Sequence, residues 1–307
     1  MMERDFEYRP VALGRSVLVG VDGSRESREA ALLGQRLAKG ATGSLRLVSA
    51  ASNALVEVAA TRGGLSLEGL EEGLLRAADA KAAAPLRGDF SDVELDELVV
   101  RLGTPEKVLA QAAEEFDADV MILGGRRARA PGPRFRRRMA RRLLPLGGIP
   151  VVVTGPDGSR IDRILVGVDR SRAARQPLLL ARRLGELLGV PVAAIHVVDL
   201  PAFPAGLELD LDPEDLARRE AASAEAELAS LAPADVEVSV VVGDVVESLM
   251  EAVRSNSATA LVLGTQGRGA VHRLMLGSVT EALLAELPCT LVVVPSWPGD
   301  RERRRNA

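Results

Sequence analysis

The chain contains itself twice. Ser16-Val17-Leu18-Val19-Gly20-Val21-Asp22-Gly23-Ser24 returns as Arg163-Ile164-Leu165-Val166-Gly167-Val168-Asp169-Arg170-Ser171, at an offset of 147 residues. Leu102-Gly103 returns as Val242-Gly243, and Val120-Met121-Ile122-Leu123-Gly124 returns as Ala260-Leu261-Val262-Leu263-Gly264, both at an offset of 140. Self-similarity over so long a period restricts the chain to two copies of one domain, the first copy longer in its middle. The 307 residues, 47% of them apolar, suffice for two cores of ordinary domain size.

Each copy reads strand, helix, strand, long loop and helix, strand, helix, strand, helix, strand. Alternation of this kind demands an α/β fold, a parallel sheet with right-handed crossovers. In the first copy the hydrophobic pattern predicts strands near 16–22, 44–50, 93–101, 119–124 and 149–154, and helices near 25–39, 67–83, 104–116 and 135–144. In the second it predicts strands near 163–169, 190–198, 235–242, 258–264 and 289–295, and helices near 173–188, 213–231, 244–256 and 277–287. The expected division is a first domain over 1–154, a linker over 155–160 that opens Gly155-Pro156-Asp157-Gly158-Ser159, a second domain over 161–296 and a basic tail over 297–307.

The chemistry is concentrated near the end of the second copy. Gly264 closes an apolar strand in Leu263-Gly264-Thr265-Gln266-Gly267-Arg268, and Gly277-Ser278-Val279-Thr280 opens a segment with helical spacing. A helix start offers unpaired backbone N–H groups to an anion, and glycines let a phosphate chain approach the backbone. The Ser278 and Thr280 hydroxyls add donors to phosphate oxygens or ligands to a metal. No Gly-Lys-Ser/Thr follows, and residues 108–307 hold no lysine, so amides, hydroxyls and arginine must do the binding. Asp169 also ends a strand, and ligands of open α/β sheets bind beyond the carboxyl ends of the strands. Asp169 and the glycine loop are therefore expected to converge. A turn or helix cap is the alternative role for this aspartate.

The spacing Gly-x2-Gly-x9-Gly-Ser, between Ala260-Leu261-Val262-Leu263-Gly264 and the closing Cys289-Thr290-Leu291-Val292-Val293-Val294-Pro295, resembles the ATP-binding signature of the universal stress protein family. The resemblance covers nearly the whole chain as two tandem domains. It implies two five-stranded, Rossmann-like sheets of the adenine-nucleotide α-hydrolase-like arrangement, with the first, third and fourth strands of each near the centre. It places a nucleotide site at Gly167, Val168, Asp169, Val197, Leu263, Gly264, Thr265, Gln266, Gly267, Arg268, Gly277, Ser278, Val279 and Thr280. There Val168 and Asp169 flank the base and Val197 offers backbone to adenine. Arg268, read from the residues alone, is the nearest cation after the glycines and either meets a terminal phosphate or is a solvated side chain. The implied ligand is ATP, alone or with magnesium, bound by a stress-response regulator. Family members often pair through their last strands, so Val151–Val153 and Leu291–Val294 are expected side by side as an intrachain pseudo-dimer, with further homodimerisation open.

Only the second copy is complete in this motif. At the 140 offset Gly124 stands for Gly264, but Arg127 stands for Gly267, Arg137 for Gly277 and Arg138 for Ser278. A large side chain at a glycine position holds the backbone away from a pyrophosphate, so the first domain is expected not to bind ATP in this manner. Its arginine-rich segment 126–142, which only Phe135 interleaves, reads as a basic helix that is solvated or paired with acidic neighbours, in preference to the alternative of an anion surface for nucleic acid or polyphosphate.

Catalysis has no visible apparatus: no Ser-His-Asp set, no CxxC pair and no HExxH occurs. At most weak ATP hydrolysis is expected. His196 reads as a packed strand residue, His272 lies between the glycines, and Cys289 reads as a buried, inert thiol. A net charge of −4 argues against nucleic acid or an anionic membrane as partner of the whole molecule. A charged N-terminus without an apolar h-region, and the lack of a membrane-length apolar run, lead to the expectation of a cytoplasmic protein.

Overall fold

The apolar, β-branched segments become the strands of a computed structural model that describes residues 13–52, 67–125, 148–170, 174–199, 212–265 and 276–295. The first half holds strands β1 (Ser16–Gly20), β2 (Ser44–Ala51), β3 (Val99–Leu102), β4 (Val120–Gly124) and β5 (Val151–Thr154). Its helices are α1 (Arg25–Gly40), α2 (Leu67–Ala83), α3 (Asp92–Asp96) and α4 (Pro105–Glu115). The second half holds β6 (Ile164–Gly167), β7 (Val192–Val198), β8 (Glu237–Val242), β9 (Ala260–Gly264) and β10 (Thr290–Val294). Its helices are α5 (Arg175–Leu188), α6 (Pro213–Leu231), α7 (Val245–Ser255) and α8 (Ser278–Glu286).

All of these strands join one sheet in the order β3-β2-β1-β4-β5-β10-β9-β6-β7-β8. Every neighbouring pair is parallel except β5 and β10, which run antiparallel with Val153 opposite Leu291, Val152 opposite Val292 and Val151 opposite Val293. The two last strands thus cover each other's open edge, the side-by-side pairing expected from the sequence. Side chains of alternate residues feed two cores. Val17, Val19, Val120 and Ile122 meet α1 and α5 on one face, while Leu18, Met121 and Leu123 meet α4 on the other. Both cores run continuously through residues of both halves.

Two expectations need correction. The third strand of each half, β3 or β8, is not central but lies at the outer edge of the sheet. Exposure agrees with that place: β8 leaves Val241 and Val242 36% and 45% exposed, and β3 carries Arg101, ion-paired to Glu115. The other correction concerns residues 93–101, which are not one strand. Ser91 caps a short helix, accepting from the Glu94 N–H while the Glu94 carboxylate accepts from the Ser91 N–H at 2.8 Å, so the strand is delayed to Val99.

The repeat extends to backbone detail. Gly103 and Gly243, which precede equivalent helices, take φ of 144° and 155°, a region costly for any other residue. Asp117 and Ser257, again one repeat apart, take φ of 45° and 50°. The start of each half is tied down at one equivalent position. Asp119 accepts the N–H groups of Gly14, Arg15 and Ser16 at 3.0, 2.7 and 3.1 Å. Thr259 accepts those of Asp162 and Arg163 at 2.8 and 3.4 Å. Between the halves, Ser159 donates its N–H and hydroxyl to the Glu29 carboxylate, and Arg36 reaches the Ser159 carbonyl.

Candidate functional site

Within the second half the strand order is β8-β7-β6-β9-β10, so the order reverses between β6 and β9. The crevice beyond their carboxyl ends is where ligands of such sheets bind. Val166 lies opposite Val262, which places Asp169 and Thr265 three residues further on, at the same end of neighbouring strands. The convergence expected from the sequence is therefore present, despite the length of chain between them.

Beyond Gly264 the chain closes on the start of α8. Thr265 donates its N–H to the Val294 carbonyl at 2.9 Å, and Gly277 donates to the Thr265 carbonyl at 2.8 Å. Thr280 is buried, 3% exposed, and its hydroxyl donates to the Gly264 carbonyl at 3.0 Å. Its single proton is spent there. Thr280 therefore fastens the helix start to the end of β9 rather than offering the donor to phosphate that the sequence suggested.

Gly277 is the N-cap of α8, and among the described residues no side chain caps the first-turn amides of Ser278, Val279 and Thr280, the kind of helix start at which anions bind in other proteins. Ser278 is exposed, while Val279 packs on the core. At Gly277 φ is −65° and ψ is 150°, values open to any residue. Space, rather than backbone strain, is what glycine provides: an added Cβ would lie 3.2 Å from the Thr265 carbonyl oxygen, and anything larger would extend over the helix start.

The β6–β7 side supplies the other wall. Ile195 accepts the Val168 N–H at 2.9 Å, and on the opposite edge of β7 Val198 accepts the Gly243 N–H at 3.1 Å. Peptide groups alternate in direction along a strand, so those of Val197 face β6. The register of β6 with β7 ends at Gly167 opposite Ile195, so Val197 faces the gap beyond that end. Asp169 stands beside it with Oδ2 buried. A backbone N–H and C=O at such a gap suit the hydrogen-bonding edge of a planar base.

Gly167 has a different role. An added Cβ would lie 2.7 Å from the Leu263 side chain, and at the equivalent Gly20 it would lie 2.8 Å from Leu123. Both halves need this glycine for packing. The same caution holds for the glycine that both copies keep after the fourth strand: a Cβ on Gly124 would meet the backbone of Glu26 and Ser27 at 2.5 and 2.6 Å. In the first half that glycine is explained by the close passage of α1, so the positions at which the copies differ, Gly267, Gly277 and Ser278, are the discriminating ones. Gln266, Gly267, Arg268 and His272 lie outside the described residues, as do Arg127, Arg137, Arg138 and the whole arginine-rich segment 126–142, with the helix expected near 135–144.

Sequence reasoning passed over Arg170. Its guanidinium bonds to Glu227 at 2.5 Å, Glu220 at 3.0 Å and the Ser223 hydroxyl at 3.0 Å, all on α6. The hydrogen bond that it donates to Glu227 leads the causes that raise its pKa above the usual arginine value. Arg170 thereby fixes the residue after Asp169 to a helix of the outer layer. A lone arginine in an arginine-rich chain gives no such signal; the carboxylates at Glu220 and Glu227, about two turns apart on one helical face, are the trace it leaves in the sequence.

Among the described residues no group of three or more His, Cys, Asp or Glu is placed to hold a metal ion, and no helix is long and apolar enough to cross a membrane. His196 is the packed strand residue expected. Cys289 is buried, and burial leads the causes that push its thiol up to about 12.

Comparison with known proteins agrees with the repeat. The profile of the universal stress protein family matches residues 14–155 and again 160–295. A universal stress protein of Thermus aquaticus is 28% identical over 138 residues, 43% of this chain and 96% of its own length. A universal stress protein of Mycobacterium tuberculosis is 32% identical over 141 residues, again 43% of this chain but 46% of its own length, so the match spans about half of that relative. Among solved structures, a universal stress protein from Archaeoglobus fulgidus has the same fold with a TM-score of 0.56 at 20% identity, covering 92% of this chain and 99% of its own.

Proposed function

Because the chain belongs to the universal stress protein family, with two such domains in tandem, we propose that its second half binds an adenine nucleotide, ATP in the first instance, and that the first half is a scaffold or partner surface. The proposed division is 1–154, a linker at 155–160, 161–296 and a basic tail over 297–307. One observation carries the reading: Gly277 leaves the start of α8 without a side-chain cap, at the strand-order reversal that also holds Asp169 and the Val197 peptide groups. Phosphates would lie on the Ser278–Thr280 amides with the exposed Ser278 hydroxyl beside them, and the base would lie in the gap between Asp169 and Val197. Gly267 and Arg268 complete the proposed phosphate side. ATP, alone or with magnesium, would supply a charged polyphosphate whose binding biases a conformation or an assembly.

The working role is a cytoplasmic, nucleotide-dependent stress-response regulator, able to form homodimers and to engage a regulatory partner protein. The test is to denature the purified protein, identify and count released nucleotide, add ATP back to any empty protein, and repeat all of this with Gly277→Arg, the residue of the first half. About one adenine nucleotide per chain is expected, with binding weakened at least tenfold in the variant. No nucleotide and no rebinding would make the protein a scaffold, and multiple-turnover phosphate release would make it a slow ATPase instead.

A further inference from the structure

The carbonyl of Val168 is where the β6–β7 ladder stops. After the bond from Val168 N–H to Ile195 O, a regular parallel ladder would continue from Val197 N–H to Val168 O. Among the described residues that rung is not made, and the Val168 carbonyl instead meets Nδ1 of His196 at 2.8 Å. A carbonyl only accepts, so Nδ1 carries the proton. His196 is itself 8% exposed and belongs to β7, immediately before Val197.

Two consequences follow for the gap. A peptide unit is planar, so holding the Val168 oxygen also fixes the direction of the Asp169 N–H and the start of the Asp169 turn. Val168 is then pinned through its N–H by Ile195 and through its carbonyl by His196. The buried carbonyl is satisfied without drawing on Val197, whose peptide groups stay turned toward the gap.

The first half provides the comparison. There Val21 N–H reaches Val48 O at 2.9 Å, the same last rung, and β1 ends at the equivalent Gly20. The position of His196 is taken by Ser49, buried at 4% exposure. The fold therefore forms this strand end without an imidazole. The half that has Ser49 is also the half with Arg137 and Arg138 at the helix-start positions of Gly277 and Ser278.

We infer that His196 is a positioning residue for nucleotide binding: its Nδ1–H holds the Val168 carbonyl, sets the Asp169 turn and leaves the Val197 peptide groups to read the base. This rests on the proposal that the second half binds an adenine nucleotide. The test uses the full chain and four variants, His196→Asn, His196→Gln, His196→Ser and His196→Leu, with ATP affinity measured by calorimetry and folding by thermal unfolding. The Asn amide nitrogen can occupy the place of Nδ1, whereas that of Gln lies one bond further out. His196→Asn is expected within about threefold of the parent, and His196→Gln, His196→Ser and His196→Leu about tenfold or more weaker, the loss of one well-placed hydrogen bond. Since Asn and Gln differ in reach but not in chemistry, a difference in affinity between them at equal melting temperature separates positioning from packing. Equal affinity in all four, or equal loss in Asn and Gln, overturns the inference while leaving nucleotide binding intact. Failure of the parent chain to bind ATP overturns both.

Discussion

Gly167 and Gly277 are both glycines of the candidate site, and they are glycines for different reasons. At Gly167 a methyl group would press on Leu263 at 2.7 Å and Leu249 at 3.4 Å, whereas at Gly277, among the described residues, it would meet the Thr265 carbonyl at 3.2 Å. Gly167→Ala is therefore expected to destabilise the protein by about 1–3 kcal/mol through overpacking. Gly20→Ala, which presses on Leu123 at 2.8 Å and Leu109 at 3.3 Å, should cost a similar amount. Denaturant titration of the two variants checks this; a loss confined to Gly167→Ala would mean that the packing account is wrong. Gly277→Ala suits the φ of −65° but brings a Cβ to 3.2 Å from the Thr265 carbonyl oxygen at an N-cap where alanine is poor, so it should cost less than Gly167→Ala, about 1 kcal/mol or under. Cys289 gives a separate prediction: its thiol, buried and pushed up to about 12, should not react with a thiol reagent near neutral pH until the protein unfolds. Labelling of the native protein at the rate of free cysteine would contradict the burial that explains the shift.

At the scale of elements, α3 shows how a cap can redirect a segment that hydrophobicity alone would make a strand. The Glu94 carboxyl is held below its usual value first by the Ser91 backbone N–H and next by the Ser91 hydroxyl. A folded-state value below the unfolded one means stability that is present in full above the unfolded value and lost as pH falls through the folded one. Acidification from about pH 6 to about pH 3 should therefore weaken this cap, and Glu94→Gln should remove that part of the pH dependence while keeping an acceptor for the Ser91 N–H. Melting temperature against pH, parent beside variant, reads it directly; superimposed slopes would deny the cap any role. Strands and most helices were legible because their apolar runs and periodicity are local. Strand order was not: nothing local in Glu237–Val242 says that it lies at an edge, except in hindsight the exposure of Val241 and Val242. The glycine spacing and Asp169 were legible as candidate site residues. The hydroxyl bond from Thr280 to Gly264, the Val168–His196 bond and the anchoring of Arg170 on α6 were not, because each depends on a partner that only the fold brings near.

For the whole molecule the decisive feature is the antiparallel join of β5 to β10. Two domains linked by a flexible tether would unfold separately, but here Val152 and Val292 face each other in one sheet and both cores pass across the join. The turn between the halves is itself fastened, with Gly155 donating to the Thr290 hydroxyl at 3.0 Å and Ser159 to Glu29. Opening either half would strip a partner strand and apolar contacts from the other, so the halves are expected to melt as one cooperative unit. Calorimetry should show a single transition in the full chain. Val152→Ala, which removes methyl groups from a fully packed position at the join, should lower that transition as a whole by about 1–3 kcal/mol of stability. Nucleotide binding offers the stricter test, because a ligand at about one hundred times its dissociation constant stabilises what it binds by about 2.7 kcal/mol. If the sheet is one unit, saturating ATP bound to the second half must raise the only transition, first half included. Two transitions, of which ATP moves just one, would show that the β5–β10 join does not couple the halves.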